Sequence, residues 1–138
     1  MGILKHVVLP IFGVVHLAMT KLCLVDEALI KTVAPTWSRD IEKEPVTPME
    51  LHLTRVLGGV HVAFLINGLV AIFQENSHYR AMAVLMEAVY LTFDSYALFK
   101  AKTQKGGGPV FALLGLSIIG LGVHAMEPGI FTKDKTKL

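Results

Sequence analysis

Charged residues are scarce in this chain. They make up 17% of its 138 residues, against about 25% in an average soluble domain. Hydrophobic residues account for 53% of the sequence, and the mean hydropathy is +0.56. There is a single cysteine, Cys23, which excludes an intramolecular disulfide and a metal cluster built on several cysteines. These shortages argue against a water-soluble domain and against one held together by disulfides.

Signatures of nucleophilic catalysis, phosphate binding and zinc binding are also missing from the sequence. It has no Gly-x-Ser-x-Gly and no His-Glu-x-x-His motif, and the glycine run 106–108 lacks the Lys-Ser/Thr that completes a P-loop. The net charge is only +2, and the basic residues form no face that would bind nucleic acid. We therefore predict no catalytic residues, no metal site and no nucleic-acid partner. Whether the protein is an enzyme stays open, with a non-catalytic role favoured.

The sequence contains four long apolar segments. They cover residues 3–25, 52–73, 81–99 and 109–126, and a helix that crosses the hydrocarbon core of a bilayer needs about 20 such residues. The stretch 110–123 contains only Ser117 as a polar side chain. A soluble helical bundle, the alternative fold, would show a polar face with a period of 3.6 residues. The sequence predicts an all-α, four-helix transmembrane bundle, one integral membrane domain over residues 1–138.

The connections between these segments suggest how the helices are arranged. A loop of about 25 residues separates the first two segments and ends in Thr47-Pro48-Met49-Glu50. That motif predicts a helix start, with threonine as N-cap, proline at the first helical position and glutamate closing a capping box. The second and third segments are joined by the short stretch 74–80. Such a short connection predicts an antiparallel hairpin.

Three ionisable residues fall inside the apolar segments. Arg55 lies in the second segment, and Glu87 and Asp94 lie in the third. A charge in hydrocarbon costs at least about 2.5 kcal/mol, so such residues are usually paired and functional. Counted from the same membrane surface at about 1.5 Å per helical residue, Arg55 and Asp94 differ in depth by only about 3 Å. We expect one intramembrane pair between Arg55 and Asp94, and another between Asn67 and Glu87.

Small and polar residues recur every fourth position along the second segment. This spacing places them on one face of a helix, and small residues let membrane helices approach closely. The face predicts a packing surface within the bundle or against another integral membrane protein, and it consists of Arg55, Gly59, Ala63, Asn67 and Ala71.

Three histidines lie within or near the apolar segments: His16, His61 and His124. An intramembrane imidazole can hold haem or chlorophyll, and two axial histidines must face each other at similar depth. His16 and His61 are both placed near the middle of their segments. A haem, chlorophyll or quinone site is therefore one hypothesis for these residues. The other is a structural hydrogen-bond network, and no cofactor is required by any motif.

The order of the segments resembles that of a known family. The second segment opens with Arg55-Val56-Leu57-Gly58, the third ends near Phe93-Asp94-Ser95, and the last closes on Glu127-Pro128. In these features the chain is similar to the small four-span scaffold proteins of ergosterol biosynthesis in the endoplasmic reticulum. Its topology is equally similar to that of DoxX-like membrane proteins. The first resemblance implies a non-enzymatic protein that tethers membrane enzymes.

Three functional hypotheses follow from the sequence. The first is a non-catalytic scaffold or accessory subunit of a larger membrane protein complex, in contact with lipid and with other integral membrane proteins. The second is a subunit that binds a pigment, haem, quinone or lipid through His16, His61 or His124. The third is a small proton-coupled transporter or an integral-membrane enzyme that uses Glu87 and Asp94 for protons. The endoplasmic reticulum, the inner mitochondrial membrane and the thylakoid are equally compatible with the sequence.

Overall fold

The computed structural model of the chain describes residues 2–25, 47–100 and 107–127. These residues form four helices and contain no strand. Helix α1 (Leu9–Leu24) continues a π-helical segment (Leu4–Val8), and α2 (Pro48–Phe73), α3 (Ser77–Lys100) and α4 (Gly107–Met126) follow. The predicted all-α, four-helix fold is thus confirmed, with the long connection between the first two helices.

Three of the helical segments are long and apolar enough to cross a membrane: Leu4–Leu24, Pro48–Phe73 and Gly108–Met126. Large hydrophobic side chains such as Val14, Leu17 and Ile119 point outward from the bundle, as they do where lipid is the solvent. These features indicate a membrane protein. Helix α3 is the least apolar of the four, so its crossing of the membrane stays a prediction.

The helices run antiparallel along the chain, which gives the bundle two distinct ends. At one end lie the turn Gln74–Asn76, the start of α1 and the end of α4, where Ile3 N donates a hydrogen bond to Glu127 Oε1 over 3.2 Å. We call this the turn end. At the other end α1 and α3 end and α2 and α4 begin, and we call it the connection end. Helix α1 packs most extensively against α2, and α3 against α4.

The start of α2 is fixed by its own sequence. Thr47 Oγ1 accepts a hydrogen bond from Glu50 N at 3.3 Å, and Glu50 Oε2 accepts one from Thr47 N at 2.7 Å. The capping box predicted from the sequence is therefore confirmed. It satisfies two backbone donors that would otherwise be unpaired at the end of a helix.

The apolar core lies mainly in the half of the bundle near the turn end. Leu4, Val8 and Leu9 are fully buried there, and they pack with residues from α2 and α3. Helix α4 closes this core through a close approach at Gly120. A Cβ atom added to Gly120 would lie 2.7 Å from Val8 Cγ2 and 3.3 Å from Leu4 Cδ2.

The small-residue face predicted along α2 divides between the surface and the interior. Arg55, Gly59 and Ala63 are exposed, Asn67 is half-buried, and Ala71 is fully buried in the core. The glycine of α2 that α1 approaches closely is Gly58, one position away, where an added Cβ would lie 2.6 Å from Leu24 Cδ2. The packing surface against α1 therefore follows Gly58, while Gly59 and Ala63 face away from it.

Substitution of Gly120 by alanine should destabilise the bundle, because Val8 is fully buried and stiff about χ1. Overpacking of a core costs about 1–3 kcal/mol. Gly122→Ala is the matched control, since an added Cβ there meets nothing within 4 Å. Thermal unfolding in detergent, followed by circular dichroism, should give a lower Tm for Gly120→Ala than for Gly122→Ala. Equal Tm values would contradict the close contact between the π-helical segment and α4.

Candidate functional site

Three titratable side chains from three helices meet in the interior of the bundle. His16 Nδ1 of α1 lies 2.9 Å from His61 Nδ1 of α2. His16 Nε2 lies 2.8 Å from Glu87 Oε1 of α3. The relative exposures of His16, His61 and Glu87 are 3%, 4% and 3%. The three residues form one continuous hydrogen-bonded chain, which we call the relay.

The relay lies near the middle of the helices that carry it. His61 follows Pro48 by 13 residues and precedes Phe73 by 12. At about 1.5 Å per residue, it is roughly 20 Å from one end of α2 and 18 Å from the other. If α2 crosses a bilayer along its length, the relay lies close to the midplane, where water is scarcest.

Aromatic rings surround the relay. The Phe64 ring stacks on His16 with a centroid distance of 5.3 Å, and Phe12 stacks on the same imidazole at 6.1 Å. Tyr90 meets His61 edge-on at 6.0 Å. These rings exclude solvent and hold the two imidazoles in place. The same surroundings make an unpaired charge costly, so the hydrogen bonds of the relay determine which protonation states are stable.

The geometry defines the tautomers that accompany an ionised Glu87. A carboxylate accepts only, so His16 must donate from Nε2, and its Nδ1 is then an acceptor in the neutral ring. His61 must therefore donate from Nδ1, which leaves its Nε2 as an unprotonated base. In this state the relay carries one negative charge and each of its two hydrogen bonds has one donor and one acceptor.

One added proton is accommodated by moving each proton of the relay by one position. A proton that binds His61 Nε2 lets His61 Nδ1–H pass to His16 Nδ1. The proton on His16 Nε2 then passes to Glu87 Oε1. The result is a neutral relay in which the carboxyl group is protonated and both hydrogen bonds are kept with reversed direction. The relay can therefore hold either of two hydrogen-bond arrangements without losing a bond.

Both ends of the relay are unsatisfied. Among the described residues, His61 Nε2 and Glu87 Oε2 are buried and have no hydrogen-bond partner. More than nine-tenths of buried polar groups in proteins are paired, so an open atom at each end is unusual. The arrangement can accept a proton at His61 and release one at Glu87, or the reverse.

Of the two pairs that we expected from the sequence, the one between Asn67 and Glu87 is not formed. Asn67 Oδ1 accepts a hydrogen bond from the Tyr79 hydroxyl at 2.9 Å, and Glu87 is bonded to His16 instead of Asn67. The physical reason is that α2 packs more closely against α1 than against α3, so α1 supplies the polar partner. Arg55 is exposed and Asp94 is half-buried, and the pair between them stays a prediction.

His124, the third histidine considered from the sequence, lies far from the relay at the turn end. Its Nδ1 atom is 3.5 Å from Glu127 Oε2. The other carboxylate oxygen of Glu127 accepts the hydrogen bond from Ile3 N. This second histidine–glutamate pair joins the end of α4 to the start of the first helical segment. Because it lies at the end of the bundle and shares no residue with the relay, it provides a natural comparison for the relay.

The relay geometry limits how a metal or haem could be held. An ion between two opposite imidazoles would separate their nitrogens by about 4 Å, twice a metal–nitrogen bond, whereas the two Nδ1 atoms are 2.9 Å apart. No group of three histidine, cysteine or carboxylate side chains within the described residues is arranged to hold a metal ion. The remaining atom with ligand chemistry is His61 Nε2, which could serve as a single axial ligand.

Comparison with known proteins adds no relatives. No family model, no curated protein and no solved structure matches this chain.

The tautomers can be checked by nitrogen NMR of histidine-labelled protein in detergent. In alkaline buffer we expect His16 to be protonated on Nε2 and His61 on Nδ1. Acidification should then protonate His61 Nε2, because the added proton moves through the relay to Glu87. The exposed His78 serves as an internal reference for an unconstrained imidazole. Protonation of His61 on Nε2 in alkaline buffer would contradict this order of donors.

Proposed function

We propose that this protein is a small proton-coupled membrane transporter in which the relay of His61, His16 and Glu87 takes up and hands on a proton. The observation that carries the proposal is the continuous chain of three buried titratable side chains from three helices. Ionisable residues inside a membrane protein commonly form proton relays.

The position of the relay supports this role. Many secondary transporters hold their substrate and coupling ion near the midplane, where two structural units can open in turn to either side. A relay placed near the middle of α2 has this location. The two unpartnered atoms, His61 Nε2 and Glu87 Oε2, give the proton a place to arrive and a place to leave.

The energetics also favour a titrating role over a purely structural one. Interhelical hydrogen bonds in membranes contribute only about 0.6 kcal/mol on average. Burying an ionised carboxylate at the midplane costs several times more. A structural contact would be made at lower cost by neutral side chains, so a carboxylate with two imidazoles is better explained by proton exchange.

Proton flux into vesicles tests the proposal. Purified protein is reconstituted into liposomes that contain a trapped pH-sensitive dye, and a pH gradient is applied with the membrane potential clamped. The wild-type chain should carry protons well above the rate of protein-free vesicles. Glu87→Gln keeps an acceptor for His16 but cannot take up a proton near neutral pH, so flux should fall at least tenfold.

The matched control is Glu127→Gln, which alters the other histidine–glutamate pair without touching the relay. This variant should retain wild-type flux. Wild-type flux no greater than that of empty vesicles would contradict the proposed function. The same conclusion would follow if Glu87→Gln and Glu127→Gln had equal effects.

A second candidate function is that of a scaffold or accessory subunit. Arg55, Gly59 and Ala63 share one exposed face of α2, and nothing lies within 4 Å of a Cβ added at Gly59. Small residues on an outer face allow the backbone of another membrane helix to approach. The resemblance of Arg55-Val56-Leu57-Gly58 to the scaffold proteins of ergosterol biosynthesis supports the same role.

Co-purification in mild detergent tests this second role. Gly59→Leu should weaken association with any partner protein by at least tenfold, because a large side chain blocks close helix approach. Ile66→Leu, a volume-conserving change at an exposed position of the same helix, should leave association unchanged. Partners that bind Gly59→Leu as well as wild type would exclude this face as the docking surface.

A further inference from the structure

The two halves of the bundle differ sharply on either side of the relay. Toward the turn end, the residues next to the relay on α1 and α3 are apolar and tightly buried. Phe12 lies four residues before His16 and is 2% exposed, and Ala83 and Val84 lie four and three residues before Glu87 with exposures of 3% and 0%. With Leu4, Val8 and Leu9 below them, these residues form an apolar plug. On α2 the half-buried Asn67 lies on this side, where the Tyr79 hydroxyl donates a hydrogen bond to it.

Toward the connection end, polar side chains lie on the same helix faces as the relay, beside the buried Leu91 of α3. Thr20 lies four residues after His16, and Ser95 lies eight residues after Glu87, so each shares a helix face with a relay residue. The hydroxyl oxygens of both are buried and have no hydrogen-bond partner among the described residues. Thr54, seven residues before His61, is also buried on this side. The buried hydroxyl groups of Thr20 and Ser95 could therefore still form hydrogen bonds.

Two further residues continue from the relay toward the connection end. Glu87, Tyr90 and Asp94 lie on one face of α3 at spacings of three and four residues. Tyr90 meets the His61 ring edge-on. Asp94 is half-buried, so its carboxylate lies between the interior and the surroundings of the bundle.

We infer that, in this conformation of the bundle, the relay exchanges protons with the connection end only, through the polar half lined by Thr20, Ser95, Tyr90 and Asp94, while the apolar plug closes the turn end. The substrate that enters this half is a hydrated proton or another small hydrated cation. The inference rests on the proposed function for the role of the relay. The asymmetry of the two halves is a separate property, and it can be measured without any transport.

Cysteine accessibility in lipid nanodiscs tests this asymmetry, because both membrane surfaces then meet the same reagent. Cys23→Ser removes the single native thiol, and one cysteine is introduced per variant. Thr20 and Val8 are each four residues from their own end of Leu4–Leu24. A charged, membrane-impermeant thiol reagent should label Thr20→Cys at least tenfold faster than Val8→Cys.

A second pair on α3 repeats the comparison with equally small changes. Ser95 lies five residues before Lys100, and Ala83 lies six residues after Ser77. Ser95→Cys should react at least tenfold faster than Ala83→Cys. Each of the four substitutions changes a side chain by about one heavy atom, so folding should be preserved, and circular dichroism of each variant checks this.

The outcomes separate this inference from the proposed function. Equal labelling within both pairs, or faster labelling of Val8→Cys and Ala83→Cys, would overturn one-ended access even if Glu87→Gln abolishes proton flux. Fast labelling of Thr20→Cys and Ser95→Cys, with slow labelling of Val8→Cys and Ala83→Cys, supports one-ended access. If the wild-type protein then carries no proton flux, one-ended access is supported and the transport role is rejected.

Discussion

The structure depends on the way a carboxyl group is kept inside a hydrocarbon-like interior. Glu87 is almost completely buried, and an ionised carboxylate there is tolerated only if strong donors satisfy it. His16 supplies one donor at 2.8 Å, and His61 completes the chain by contacting the other nitrogen of the same ring. A neutral imidazole has one N–H donor and one acceptor nitrogen. The direction of the hydrogen bond between His16 and Glu87 therefore sets the direction of the bond between His16 and His61. This linkage turns a contact between three helices into a unit that can gain or lose one proton.

The packing of the helices serves this unit. Helix α1 brings His16 between α2 and α3, and the close approach at Gly58 beside Leu24 allows α1 and α2 to come together. Phe12, Phe64 and Tyr90 fill the space around the two imidazoles. At the turn end, Gly120 allows α4 to press against Val8, and Glu127 ties α4 to Ile3. The turn end is tightly packed and the connection end carries polar side chains. The two ends of the bundle therefore differ, although successive helices alternate in orientation.

The scaffold and transporter roles use different parts of the molecule. The exposed Gly59 and Ala63 face outward on α2, whereas His61 on the same helix faces the interior. A partner helix could therefore dock on one face of α2 without touching the relay on the other. The two proposed roles are therefore compatible with one protein.

The sequence by itself determined the helices and indicated that lipid surrounds them. Long apolar runs predict helices of membrane-spanning length because only a helix satisfies its backbone without water, and Thr47 and Glu50 specify the start of α2 through contacts within one turn. The sequence also indicated that His16, His61 and Glu87 were unusual, since each is polar within an apolar segment. Only the tertiary structure decided that they belong together. The partners of Glu87 and Asn67 depend on which helices pack side by side. Helices that are consecutive in sequence do not always pack most closely, since a short turn joins α2 to α3 but α2 packs chiefly on α1. Periodicity alone placed Gly59 on a packing face, yet the contact with α1 fell on Gly58, because the rotation of a helix that is apolar all round is set by its neighbours.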